Sequence, residues 1–380
     1  MNSTGRIALL QLCGIGFAVL LLASCTSEPF SEREPAETPV PDERYFPPDQ
    51  GDGKWQTITP AEAGFDASGV EKTLDYAEAQ RSSGVVVLFD GRILAERYWQ
   101  VPEAEGSRYK NMLAAETTDG RAIEDVASAQ KSVVSLLAGI AEGKGLLDLA
   151  APVSLYLGEG WSKAAAEQEA AITVEHIMSM NSGLLIDRTF EAPAGDKWRY
   201  NTNVYSRLLA VLEAVSGLSV DECTAQWLTV PIGMSDSSWV PRPWITSGQD
   251  ANVVGFGTTA RDLARLGLLV LRGGQWSGVD ILGNPSYLER STNSSQQLNP
   301  AYGYLWWLNG RERGIRGGDE FQGELIPSAP ADLYLASGAL GRKCYVAPSM
   351  TLVVTRLGDA PEQGFDEEFW RRLMAAAPKG

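Results

Sequence analysis

One histidine, His176, and four cysteines, Cys13, Cys25, Cys223 and Cys344, occur in 380 residues. So little imidazole leaves a zinc site without its usual ligands, and no metal or other cofactor is expected. It also restricts any Ser-His-Asp hydrolase to one candidate base, His176. Positive charge is scarce too: 32 Lys and Arg stand against 48 Asp and Glu, for a net charge of −16. That balance argues against nucleic acid and anionic lipid surfaces as partners. The apolar run 9–22 is too short and too near the terminus to read as a membrane span.

What is present describes a globular protein. The chain is 44% hydrophobic and 21% charged, ample for a large core. Residues 1–25 read as a targeting segment, with Arg6 before the apolar run and Leu22-Ala23-Ser24-Cys25 at its end. This ending resembles a bacterial lipobox, in which Cys25 is lipidated and becomes the first mature residue. The alternative is an ordinary signal peptide with a chance cysteine. Residues 26–53, rich in Pro, Asp and Glu, predict a disordered tether. The expected location is the bacterial cell envelope, with the membrane as partner through Cys25 and the folded part facing the periplasm or exterior. Cys223 and Cys344 are expected as separate buried thiols, although an oxidising periplasm would permit their pairing.

Ser128-Ala129-Gln130-Lys131 opens an apolar stretch, 132–140, that reads as a buried helix ending near Gly143. Three residues of helical spacing put the Ser128 hydroxyl and the Lys131 amine on one face. A buried ammonium loses its proton readily and can replace imidazole as the base for a serine nucleophile. The other reading of Ser128 is a helix N-cap. A second such pattern, Ser107-Arg108-Tyr109-Lys110, lies in a polar stretch without apolar period, so it lacks a rigid mount.

Along the chain, Ser68-x-x-Glu71 reads as a capping box before a helix over 69–81. Residues 84–89 and 92–99 read as strands joined by an Asp90-Gly91 hairpin turn. Helices are predicted over 173–180, 204–215 and 260–271. Strands are predicted over 302–307, 333–336, 343–346 and 352–356, before a last helix capped by Asp366. Strands at both ends and helices between predict an α+β fold. Its antiparallel sheet is formed from both chain ends and flanked by helices, with a mostly helical inserted subdomain at roughly 129–260. The folded domain is expected over 54–377, with the active site between its two parts.

These landmarks together resemble the serine β-lactamase/penicillin-binding-protein superfamily, over roughly residues 55–375. The chain is most similar to its class C-like branch of esterases, D-aminopeptidases and 6-aminohexanoate oligomer hydrolases. The landmarks are Ser128-Ala129-Gln130-Lys131-Ser132, Ile172 to Met178 with Ser182-Gly183-Leu184, Pro231-Ile232-Gly233-Met234, Thr259 to Gly267, and Tyr302-Gly303-Tyr304-x-Trp306-Trp307. The resemblance implies a β-lactamase/transpeptidase-like fold with Ser128 as nucleophile and Lys131 as base. The family's Tyr-x-Asn motif falls on Tyr200, whose phenolate would shuttle the proton. Thr202 holds the asparagine's place, with Asn201 and Asn203 beside it as possible substrate contacts. The family's Lys-Thr-Gly or His-Thr-Gly strand falls on Ala336-Ser337-Gly338. Ser337 keeps the hydroxyl, Gly338 keeps room for a ligand, and the N–H groups of Ala339 and Ser128 would form the oxyanion hole. The strand cation is missing, which favours neutral esters or amides over β-lactams and peptidoglycan stems, unless Arg342 or Lys343 compensates. Trp306 and Trp307 are candidates to line the cleft. The implied function is a serine hydrolase acting through an acyl-enzyme on a small-molecule ester or amide. The alternatives are a non-catalytic or weakly active lipid-anchored binding protein on the same fold, and a penicillin-binding D-Ala carboxypeptidase or β-lactamase. His176 as a Ser-His-Asp base is a third possibility.

Overall fold

In the computed structural model, residues 44–49, 54–245 and 252–378 are described. They belong to one unit, Asp42–Gly380. Cys25, the targeting segment and most of the expected tether lie outside the described residues. Residues 44–49 of that tether pack on the body: the Phe46 ring lies 5.4 Å from that of Trp276 and Arg92 covers Tyr45 at 5.0 Å. The Arg265 guanidinium donates to the Pro48 carbonyl at 2.5 Å.

The first hairpin forms as its sequence dictates. Val85, Val86, Val87 and Leu88 are β-branched or apolar and fully buried. They lie in the strand Ser82–Phe89, which pairs with Arg92–Tyr98. Asp90 and Gly91 both take positive φ, as a two-residue turn of this type requires. The strand Leu352–Gly358 then pairs antiparallel with Ser82–Phe89. Lys343–Ala347, Tyr334–Ser337 and Trp307–Leu308 follow in that order, completing a sheet of six strands from both chain ends. Helices Ala67–Ala79 and Phe365–Ala376 pack together, and the first also packs on the sheet. Ala260–Leu271 packs on Lys343–Ala347 and Leu352–Gly358. Its Gly267 lies where a Cβ would stand 2.8 Å from the Cys344 sulfur.

Four expectations change. The first helix is capped by Asp66, whose carboxylate accepts from the Ser68 and Gly69 N–H groups, so Ser68 lies inside the turn. Asp366 also sits inside its helix, after Gly364 at the N-cap, and its carboxylate is engaged elsewhere. The insert is not wholly helical: Ser238–Pro241 and Val254–Thr258 join Leu113–Glu116 and Ala122–Asp125 in a sheet of four. Residues 302–307 form a tight turn, because Leu305 takes φ +62° and Tyr302 bridges back to Trp307. Cys223 and Cys344 are free, buried thiols.

The helix Gln130–Gly143 is buried along nearly its whole length, Gln130 through Ala141. Its middle, Val133 to Ala141, is apolar apart from Ser135 and enclosed by the core, so this helix is the rigid mount on which the site rests.

Candidate active site

Ser128 lies in a single 3-10 turn, Ala127–Ala129, that runs directly into the buried helix. Ala127 is held at φ +51°, a costly value for a residue with a side chain. The surroundings enforce it. The Asp125 carboxylate accepts the Ala127 N–H at 2.8 Å. Arg242 then grips Asp125 with two bonds, 2.6 and 2.8 Å, and reaches the Gln130 amide oxygen at 2.8 Å. Asp125 and Arg242 are both buried, so a bidentate pair of this kind fixes geometry strongly. Gly255 leaves the space it needs, since a Cβ there would come within 2.2 Å of the Asp125 carboxylate.

The Lys131 amine lies 3.1 Å from the Ser128 hydroxyl and 3.2 Å from that of Thr202. It also lies 4.8 Å from the centre of the Tyr200 ring and 4.6 Å from that of Tyr205. Lys131 is only 2% exposed. Burial, with the Arg242 charge adding to it, brings its pKa down to about 7. A large share of the amine is therefore neutral at physiological pH and able to accept a proton. The Tyr200 phenol moves the other way. Burial pushes it up to about 12, against the pull of its hydrogen bond to Ser128 and the charge of Arg316. Tyr200 is thus a protonated phenol at neutral pH rather than the phenolate expected from the sequence.

The three residues after Tyr200 divide their work. Thr202 reaches the Lys131 amine. Asn201 is 2% exposed, and its amide donates to the Leu184 and Leu185 carbonyls at 2.9 and 3.0 Å. Its oxygen accepts the Val204 N–H, capping the short helix Thr202–Tyr205. Asn203 donates to the Ile186 carbonyl. Both asparagines tie down the 184–186 loop through their side-chain amides.

The strand Tyr334–Ser337 meets the nucleophile turn at Gly338. A Cβ there would stand 2.0 Å from the Val126 carbonyl oxygen, so only glycine permits the contact. Ala339 follows, and Ser128 and Ala339 line one cavity of about 240 Å³ together with Arg242 and Leu340. Ser337 faces Lys343 across the strand pair, and the Lys343 amine donates to its hydroxyl at 3.0 Å. Arg316, from the hairpin strand Arg313–Arg316, reaches the same hydroxyl at 3.5 Å. The cation missing from the third motif is therefore restored in space from two other strands. Lys343 is in turn paired with Asp366 at 2.9 Å, and Tyr345 donates to the same carboxylate at 2.7 Å. Burial would raise the Asp366 carboxyl, but Lys343, Arg316 and Tyr345 together hold it below its ordinary range. Arg342 points away, into a buried pair with Glu124 at 2.9 Å.

Trp306 is fully buried and sits edge-on to Tyr334, so it belongs to the core rather than the cleft. The turn at Leu305 hands the cleft position to Trp307, which stacks on Tyr200 at 6.0 Å. His176 caps its own helix: its Nδ1 lies 3.1 Å from the Thr173 N–H, and the His176 N–H bonds the Thr173 hydroxyl. The Ser107 hydroxyl donates to Asp359 and Lys110 pairs with Glu103, so that second pattern is no nucleophile–base pair. Asp125, Arg242 and Arg316 went unread in the sequence. Asp125, three residues before Ser128, was the only nearby signal.

Residues 69–378 match the Beta-lactamase family. No curated protein matches the chain by sequence. Among solved structures, a provisionally assigned 6-aminohexanoate-dimer hydrolase from Bacillus anthracis shares the fold with TM-score 0.63 and 16% identity, over 90% of this chain and 92% of that one. EstCE1, a hydrolase with promiscuous acyltransferase activity, gives TM-score 0.57 and 14% identity over 82% and 98%. A beta-lactamase from Mycobacterium bovis gives 0.55 and 15% over 80% and 97%. At such identities the likeness is one of fold.

Proposed function

The chain belongs to the beta-lactamase family, and from that premise we propose that it hydrolyses a small ester or amide by carrying the acyl group on Ser128. The observation that supports this reading is the buried Lys131 amine, 3.1 Å from the Ser128 hydroxyl with its pKa brought to about 7. Lys131 takes the proton as the Ser128 oxygen attacks the carbonyl carbon. The N–H groups of Ser128 and Ala339 receive the developing oxyanion. The tetrahedral adduct collapses, the bond to the leaving group breaks, and Tyr200 passes a proton from the Lys131 side to that group. Water then attacks the ester on Ser128 with the same base and releases the acid. A fluorophosphonate probe should label the protein at Ser128 and spare Ser128→Ala. Equal labelling of that variant would overturn the proposal, and no labelling of either protein would favour a binding protein on the same fold.

A second reading, a penicillin-binding carboxypeptidase or β-lactamase, gains from Lys343 and Arg316 at the Ser337 hydroxyl. Those cations weaken the argument that the site avoids anionic substrates. Turnover of nitrocefin faster than of short-chain p-nitrophenyl esters would favour this second reading. The resemblance of Leu22-Ala23-Ser24-Cys25 to a lipobox supports an anchor in the cell envelope. Among the described residues no helix is long and apolar enough to cross a membrane. Palmitate incorporation that survives Cys25→Ala would remove the anchor.

A further inference from the structure

A second cavity, an aromatic trough, has Tyr200 in its wall. Its volume is about 580 Å³, within the usual span of small-molecule sites, and its walls include Trp198, Tyr200, Trp307, Ile315 and Glu320. The Tyr200 and Trp307 rings stack on one another, 20° from parallel, and so fix each other's orientation. Trp198 stands edge-on to Trp307 at 6.2 Å and closes one side. Fixed edge-to-face and stacked contacts hold these rings in place, so little side-chain freedom is lost when a ligand arrives.

The charges around the trough are of both signs. The Arg316 guanidinium already lies over the Trp307 ring at 5.6 Å and repels a second cation. Arg199, at the mouth, is held by Glu191 through two bonds and offers no free charge to an anion. Glu320 is exposed on the opposite lip and repels anions.

We propose that this trough is the leaving-group subsite, and that it takes an aryl ring carried on the alcohol or amine side of the scissile bond. The inference rests on the serine hydrolase reading above. Tyr200 is the link: the group that protonates the leaving atom is also a wall of the trough, so a leaving group within reach of its hydroxyl has its remainder directed along that wall.

The test combines turnover with binding. For benzyl and ethyl esters of one acid, whose alcohols differ little in reactivity, wild-type protein should prefer the benzyl ester in kcat/KM by about tenfold or more, the scale of a filled apolar pocket. Trp307→Leu should bring the ratio of the two near unity, and Trp307→Phe should restore most of it, chiefly through KM. Equal ratios in all three proteins would overturn the subsite even if Ser128 is labelled by the fluorophosphonate. In the Ser128→Ala protein, ligand-observed NMR with 2-naphthalenemethanol needs no turnover. Saturable binding that Trp307→Leu weakens supports the subsite. Absence of binding overturns it whatever the fate of the hydrolase reading.

Discussion

Two buried lysines stand in the cleft, and their surroundings give them opposite work. Lys131, on the helix that follows Ser128, faces two hydroxyls and two aromatic rings, with the nearby charge of Arg242 also positive. Lys343, on the sheet, is as deeply buried but carries the Asp366 carboxylate at 2.9 Å. Burial lowers both amines, and at Lys343 the carboxylate opposes it. The difference teaches that burial alone does not make a lysine a base; the presence or absence of a carboxylate partner decides. One amine is poised to exchange its proton, while the other is engaged by the Asp366 carboxylate and orients Ser337.

The sharpest way to break this comparison is Lys131→Met. Acylation by a fluorophosphonate or an activated ester should fall about 10³-fold, the usual contribution of a positioned base. In wild type, kcat/KM should rise with pH and level off above about 7, because the amine must be neutral to act. A flat profile from pH 5 to 9 would remove Lys131 as base. The same variant should gain thermal stability. With its folded-state pKa below the unfolded value, Lys131 destabilises most where the native protein must bury the charge, below pH 7. That cost shrinks as pH rises towards the ordinary lysine range. The gain in melting temperature should therefore be larger at pH 6 than at pH 9.

Asp366→Asn attacks the other lysine. Leaving Lys343 buried without its counterion should cost about 3 kcal/mol of stability, read as a lower denaturant midpoint. If the protein is unaffected, the two lysines are not distinguished by their partners. Thr202→Val is a finer test, removing one hydrogen bond from the Lys131 amine. It should reduce kcat/KM about fivefold, the worth of roughly 1 kcal/mol, and move the acidic limb of the pH profile to lower pH. His176→Gln should change kcat/KM by less than about twofold, since its effect is limited to a helix cap worth roughly 1 kcal/mol of stability. A large loss of activity would return imidazole to the mechanism.

Much of the nucleophile side was legible because it is local. Ser128 and Lys131 belong to one helix turn, and their relation follows from its period. The sheet from both chain ends was also readable, since its strands alternate or run apolar between turn signals. The strand side depended on register that no local pattern carries. Lys343 reaches Ser337 only because the two are partners across antiparallel strands, and Arg316 arrives from a separate hairpin. Arg242 lies 117 positions from the Asp125 it grips. The choice between Trp306 and Trp307 turned on the positive φ of Leu305, which reverses the faces that a regular strand would present. The two strands hidden in the insert, Ser238–Pro241 and Val254–Thr258, take a partner from outside it, Ala122–Asp125.

The pairing of Val87 with Val354 has a consequence for biosynthesis. The first hairpin emerges early and waits with one edge bare until almost the whole polypeptide has followed. Ser128 is made long before the strands beside Ala339 can pair. On the hydrolase reading proposed above, a nascent chain would therefore carry Ser128 without the N–H of Ala339 in place.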